Sequence, residues 1–222
     1  MSDHSRYDVM DGLIQLQRLR SVSSLACDAI ARMPVDSVAE YEDIVSRICE
    51  FSPEDKEQER LDLIRSRYME QEVLERIEAQ SALSSAYAAF EFTLTMMAET
   101  VLRSSGLGLS LSDFHGKGIE RAKVVLRKVG GVSSVFETPS WKKIKDYSEL
   151  RNKIMHGGGL VGRGSEEAKK LAAIEYVELV DFGEGHDFMQ VSLPAFLVRQ
   201  AFAEFEAFLE ALYEELEGKR KC

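Results

Sequence analysis

The chain has 222 residues, 45% hydrophobic and 30% charged, enough for a substantial core and unlike a disordered polymer. Its net charge of −10 at first argues against a nucleic-acid partner, though the distribution of charge matters more than the sum. Cys27, Cys49 and Cys222 are scattered and odd in number, and the four histidines stand apart, so neither a disulfide framework nor a metal site is expected.

In chain order, residues 1–13 are acidic where a secretory leader needs a basic start and an apolar stretch, so a cytoplasmic location is expected. A first helix is predicted over about Tyr7 to Met33, with Leu13, Leu16, Leu19 and Leu25 near helical spacing. Pro34 should stop it, and Asp36 or Ser37 can cap a second helix ending near Phe51. Ser52-Pro53-Glu54-Asp55 then combines a cap, a proline at the first helical position and acids in the first turn. From there no glycine or proline interrupts the chain until Gly106. The first half of this long helix is heavily charged with a thin apolar stripe (Leu61, Ile64, Tyr68), and its second half is apolar nearly all round. It reads as a solvent-facing arm entering a bundle core. The least charged run, Ala79 to Ala98, carries Glu91 and several Ser and Thr, so a buried helix is expected rather than a membrane span.

Ser112 or Asp113 should open a basic helix (Lys117, Arg121, Lys123, Arg127, Lys128) ending at Gly130-Gly131. Thr138-Pro139 should start the next, which runs through Trp141, Ile144, Tyr147, Leu150 and Ile154 and stops at Gly157-Gly158-Gly159. Trp141 reads as core. After a helical piece from Glu166 to Ala173, alternating residues around Gly183-Glu184-Gly185 predict a β-hairpin. The last helix should start near Leu193-Pro194, with Phe196, Phe202, Phe205, Leu209 and Leu212 on one face. Charge is uneven along this order. Lys117 to Lys170 holds 13 Lys and Arg against 6 Asp and Glu, whereas Ser37 to Glu99 holds 6 against 15. One basic segment therefore sits inside an acidic chain.

That segment contains the chemistry. Arg151, Asn152 and His156 fall on the final turns of a helix that three glycines then break. Five residues at 100° each set Arg151 and His156 about 140° apart, so a frayed helix end is needed to bring both into one cleft. The residue types suit cleavage of a phosphodiester in RNA. A histidine can take the proton of a ribose 2′-hydroxyl or give one to the leaving 5′-oxygen. An arginine offers a planar fork of donors to the phosphate, and Asn152 can hold or orient a phosphate oxygen. An Arg with a His five positions later is a weak pattern by itself, but Asn152 is the sole asparagine of the chain and follows that Arg directly.

The segment Arg151-Asn152-Lys153-Ile154-Met155-His156 resembles the HEPN superfamily, whose signature is an Arg, a polar residue and, a few positions on, a His near a helix end. The likeness covers roughly Ala79 to Gly159 and the last helix. It implies a small up-and-down helical bundle. It also implies a metal-independent endoribonuclease without cofactor, acting as a homodimer whose two motifs meet in one cleft. Roles in toxin–antitoxin or antiphage defence, with an antitoxin or regulatory partner protein, follow from the same resemblance. Ala86-Tyr87-Ala88-Ala89-Phe90-Glu91 is similar to the family's earlier core helix, which carries an acid on an apolar face. An unpaired buried Glu91 would be costly, so it is expected to hydrogen-bond Arg151 or the motif helix, the alternative being an acid at the bundle edge. One branch of the family has a modifiable Tyr two residues beyond the His, where this chain has Gly158.

The expected fold is mainly α, an up-and-down bundle with a long charged helix and a small β-hairpin before the last helix. Residues 1–52 are expected as N-terminal helices and 53–222 as the bundle, with the hairpin at about 175–192. The expected site comprises Arg151, Asn152 and His156, supported by Glu91, with Lys142, Lys143, Lys145 and Lys153 and the basics of 117–128 steering RNA. The alternatives are a non-catalytic module of the same kind that binds a protein or nucleotide, or a helical interaction protein with a chance motif.

Overall fold

The computed structural model describes residues 3–47, 53–183 and 185–220. Cys49, Cys222, the expected cap Ser52 and the expected helix end near Phe51 lie outside these. The fold is mainly α: α1 (Asp3–Arg47), α2 (Pro53–Ser105), α3 (Gly118–Lys128), α4 (Pro139–Gly157), α5 (Glu166–Ala172) and α6 (Ala195–Arg220), with β1 (Leu160–Gly162), β2 (Glu178–Asp181) and β3 (Phe188–Ser192). The strands form one antiparallel sheet in the order β1-β3-β2, with Leu160 opposite Gln190 and Val180 opposite Gln190 on the other side.

Two helical expectations are corrected. In place of two N-terminal helices there is one, whose helical backbone runs through Pro34. Proline removes one amide donor, but its fixed φ is already that of a helix. α1 pairs laterally with α2. That pairing is antiparallel: Gly12 lies against Thr93, and the Ser23 hydroxyl and Cys27 thiol both donate to Glu78. A Cβ on Gly12 would stand 2.2 Å from Thr93 Oγ1, so glycine is what lets the helices approach here.

The second correction concerns the basic helix, which begins at Gly118 and not at Ser112 or Asp113. The Asp113 carboxylate is occupied by the Ser110 amide and hydroxyl, which closes a 3₁₀ turn over Leu111–Asp113. Gly116, at φ +98°, then breaks the path before Lys117 caps α3.

The core lies among α2, α4 and α6. Phe205 of α6 stacks on Phe90 with centroids 4.8 Å apart and takes edge contacts from Tyr87 and Tyr147. Phe208 adds Trp141 and Phe136, and Trp141 is buried as expected. Leu16 of α1 is also fully buried in this cluster, whereas Phe196 of α6 stays half-exposed. The opposite end of the bundle is tied by Glu215, which accepts from the amides of Ser133, Ser134 and Val135 and from the Ser134 hydroxyl. No described helix is long and apolar enough to cross a membrane.

Candidate functional site

The sequence positions α4 through both of its ends. Thr138 precedes Pro139 at the first helical position, and Trp141, Ile144, Tyr147 and Leu150, three or four residues apart, turn one face into the core. At the far end Gly158 adopts φ +60°, and the amides of Gly158 and Gly159 both donate to the Lys153 carbonyl. The glycines then dock on the sheet. The Gln190 amide donates to the Gly158 carbonyl, and the Val191 amide donates to the Gly159 carbonyl. Gln80 of α2 donates to the Val191 carbonyl. Gly159 has no room for a side chain, since a Cβ would lie 2.6 Å from Gln190 Nε2. The end of α4 is therefore fixed rather than frayed.

A regular helix end keeps Arg151 and His156 on different sides. Arg151 lines a cavity of about 340 Å³ between α2, the start of α3 and α4, together with Tyr87, Glu91, Lys117 and Lys145. His156 lines another, of about 510 Å³, between α4 and α5, with Lys153, Glu167 and Lys170. Glu149 and Asn152 border both. The expectation of one shared cleft within a single chain is corrected: Asn152 marks the ridge between two.

The two side chains differ in support. The guanidinium of Arg151 lies 5.8 Å from the Tyr87 ring centroid and donates to Asn152 Oδ1 at 3.0 Å, while its buried Nε has no hydrogen-bond partner among the described residues. Tyr87 donates to Ser148 Oγ at 2.8 Å. Burial pushes the Tyr87 hydroxyl above its usual range, and the charge of Glu91 adds to this against the opposing pull of Ser148 and Arg151. His156 is exposed and has no hydrogen bond or ion pair among the described residues.

Glu91 does not make the expected hydrogen bond to Arg151 or α4. It is half-buried, and its Oε1 sits against Gly118, where a Cβ would come within 2.3 Å. A carboxylate at the first turn of α3 interacts favourably with the positive end of that helix, which accounts for its place.

The four lysines expected to steer RNA are dispersed. Lys145 borders the Arg151 cavity, and Lys153 borders the His156 cavity while pairing with Glu167 at 2.7 Å. Lys142 and Lys143 face a third cavity, and Lys143 is held by Glu204 at 2.6 Å. In α3, Lys123 lies over the Trp141 ring and Arg127 pairs with Glu137, so part of the basic segment is internally neutralised.

The sequence reading missed Tyr87 and Ser148 under Arg151, and the Gln80–Gln190 clamp under the glycines. A signal existed for Tyr87, four residues before Glu91 and so on the same stretch of helix face. None existed for Gln190, whose role depends on a strand pairing. Among the described residues no three His, Cys, Asp or Glu converge on a metal position. Comparison of the chain with protein-family models, curated proteins and solved structures returns no match.

Proposed function

We propose that the chain is a metal-independent endoribonuclease whose catalytic surface is the C-terminal end of α4. The observation that carries this reading is the pairing of an anchored arginine with a free histidine. Arg151 rests on Tyr87, bonds Asn152 and lines the cavity between α2, α3 and α4. One and a half turns on, His156 stands unpartnered in an open cavity. A phosphate needs fixed donors, and a proton carrier needs access.

In the proposed reaction His156 removes the 2′-hydroxyl proton. The 2′-oxygen then bonds to phosphorus, and the bond from phosphorus to the 5′-oxygen breaks. The leaving oxygen takes up a proton from a second imidazole. The products are a 2′,3′-cyclic phosphate and a 5′-hydroxyl. Arg151 and Asn152 stabilise the charge building on the phosphate. Because Arg151 and His156 of one chain open to different cavities, the proposed site forms where two copies meet, which also supplies the second imidazole. The resemblance of the motif to HEPN proteins supports this reading, together with a cytoplasmic effector role in toxin–antitoxin or antiviral defence under a regulatory partner. A second reading, a non-catalytic module that binds a protein or nucleotide, is favoured by the separation of the two cavities and by the ion pairs already held by Lys143 and Lys153.

The deciding experiment is cleavage of a mixed RNA pool in EDTA by the wild type, His156→Ala and Arg151→Ala, each checked for folding and oligomeric state. Cleavage that falls by roughly 10²-fold or more in both variants supports the ribonuclease. A folded dimer that leaves the pool intact supports the binding module.

A further inference from the structure

We infer that the cavity between the first half of α4, the segment after α5 and α6 is a subsite for one nucleobase, guanine above the others. This rests on the ribonuclease reading, since it gives that site a base preference. The cavity is separate from the two beside the motif and measures about 240 Å³. That is below the roughly 300–1,000 Å³ typical of drug-sized ligands, but it accommodates a planar ring.

Two observations point to a base. The first is aromatic. Tyr176 lines the cavity and meets Phe196 edge to face, with centroids 4.9 Å apart, and both rings remain about half exposed. Among the described residues Tyr176 is the one non-glycine with a left-handed backbone, at φ +65°. Bulky side chains are rarely found there, and such outliers collect at binding sites. Val177 is buried and Ile174 packs against the core, so the chain is anchored on both sides of a ring left at the surface. Exposed aromatic faces are what unpaired RNA bases stack on.

The second observation is polar. Asp146 is half-buried in the same cavity and, like Gln200 that also lines it, has no hydrogen bond or ion pair among the described residues. Burial pushes its carboxyl above the usual range against the pull of Lys142 and Lys145, as befits an acceptor short of partners. A carboxylate takes two donors side by side, and the guanine edge offers them as N1–H and N2–H next to the O6 acceptor. The Gln200 amide can donate to O6. Adenine and cytosine present one amine beside an acceptor, and uracil presents a single N–H between carbonyls.

The place fits the substrate. Asp146 precedes His156 by ten residues, roughly 15 Å along α4 and within reach of a few nucleotides. Glu167, Lys170 and Leu171 of α5 line the His156 cavity, and Ala173 and Ile174, just past the end of α5, line this one. A strand can follow that seam, with exposed Lys142 at the rim for a phosphate.

The test uses the full chain carrying His156→Ala, so that RNA is bound and not cut. Binding of labelled uridine heptamers with one internal guanine, adenine, cytosine or hypoxanthine is read by fluorescence anisotropy. The guanine oligomer is expected to bind roughly tenfold tighter than the adenine or cytosine ones. Hypoxanthine, which lacks the N2 amine, should lose most of that gain. Competition by free GMP identifies a nucleotide ligand, and failure of GMP with retained oligomer preference identifies RNA. Adding Asp146→Asn should abolish the preference. Adding Tyr176→Gly should weaken all oligomers alike, with a thermal midpoint no lower than its parent because glycine tolerates the backbone. Equal affinity for all four oligomers, or a preference that survives Asp146→Asn, overturns the inference. The two readings fail separately: guanine preference in a chain whose wild type cuts no RNA sinks the nuclease alone, and cutting without base preference sinks the subsite alone.

Discussion

Arg151 and His156 sit on one helix end and are built in opposite ways. The arginine is stacked on Tyr87, bonded to Asn152 and walled in by α2 and α3. The histidine has none of these supports and opens toward α5. The difference fits the two duties proposed for them. A group that recognises charge gains from being held in place before the substrate arrives, whereas one that exchanges protons gains from access. It also shows that the distance between two residues in sequence says little about a shared cleft when the helix carrying them is locked at its end.

The lock itself gives the largest expected effect. Gly159→Ala places a side chain at φ +76° and into the side-chain amides of Gln190, which holds the end of α4 to the sheet, and of Gln80, which ties α2 to β3. We expect a loss of roughly 2–4 kcal/mol in a urea titration. Gly157→Ala, two residues earlier, meets only the flexible Lys153 side chain and should be neutral or gain up to about 1 kcal/mol. Equal tolerance at both positions would mean that the sheet does not fix the helix end, and the contrast between the two sides would lose its cause.

The contrast can then be tested directly by stability instead of activity. Arg151→Ala should cost roughly 1–2 kcal/mol, from the lost ring contact and hydrogen bond. His156→Ala should stay within about 0.5 kcal/mol of wild type. Similar losses in both would show that the histidine is supported after all. Tyr87→Phe sharpens the arginine side further. It keeps the ring under the guanidinium and removes only the bond to Ser148, so about 1 kcal/mol should be lost while the Arg151 support remains. A double variant, Tyr87→Phe with Arg151→Ala, should therefore be close to additive.

Local signals were legible in the sequence where a residue acts on its own backbone. Pro53, Thr138-Pro139 and Gly158 mark helix ends that the structure contains, and the spacing of Trp141, Ile144, Tyr147 and Leu150 marks the buried face of α4. Signals failed where the partner is distant. Pro34 reads as a stop by its own chemistry, yet the helical backbone of α1 runs through it. Strand β1 is three residues long, too short for alternation, and exists because β3 pairs with it. Glu91 is expected at Arg151 or α4 because an unpaired buried acid is costly, yet its carboxylate sits against Gly118 at the start of α3. The 140° between Arg151 and His156 was legible by arithmetic. The capped end that enforces it depends on Gln190, far along the chain.

The smallest effect concerns the other half of α4, which is tied to α6 by charge. Glu204 accepts from Lys143 at 2.6 Å and from the Ser140 hydroxyl at 2.8 Å. Burial raises the Glu204 carboxyl, but these two donors outweigh it and hold the group below its usual range. A folded-state value below the unfolded one, about 4.3 for a glutamate, contributes stability above that value and loses it as pH falls through the folded one. The bond to Glu204, offset in part by burial, raises Lys143, whose own contribution is complete below its unfolded value near 10.4 and so is constant across the acid range. Glu204→Gln should therefore cost little, under about 1 kcal/mol, because Lys143 is partly exposed and the pair is screened. The cost should be full at pH 7 and shrink as pH falls below the ordinary glutamate range. Urea midpoints of wild type and variant measured over that range should converge on the acid side. A gap that stays constant would assign the tie to packing of the side chain and not to its charge, leaving both halves of α4 held by uncharged contacts.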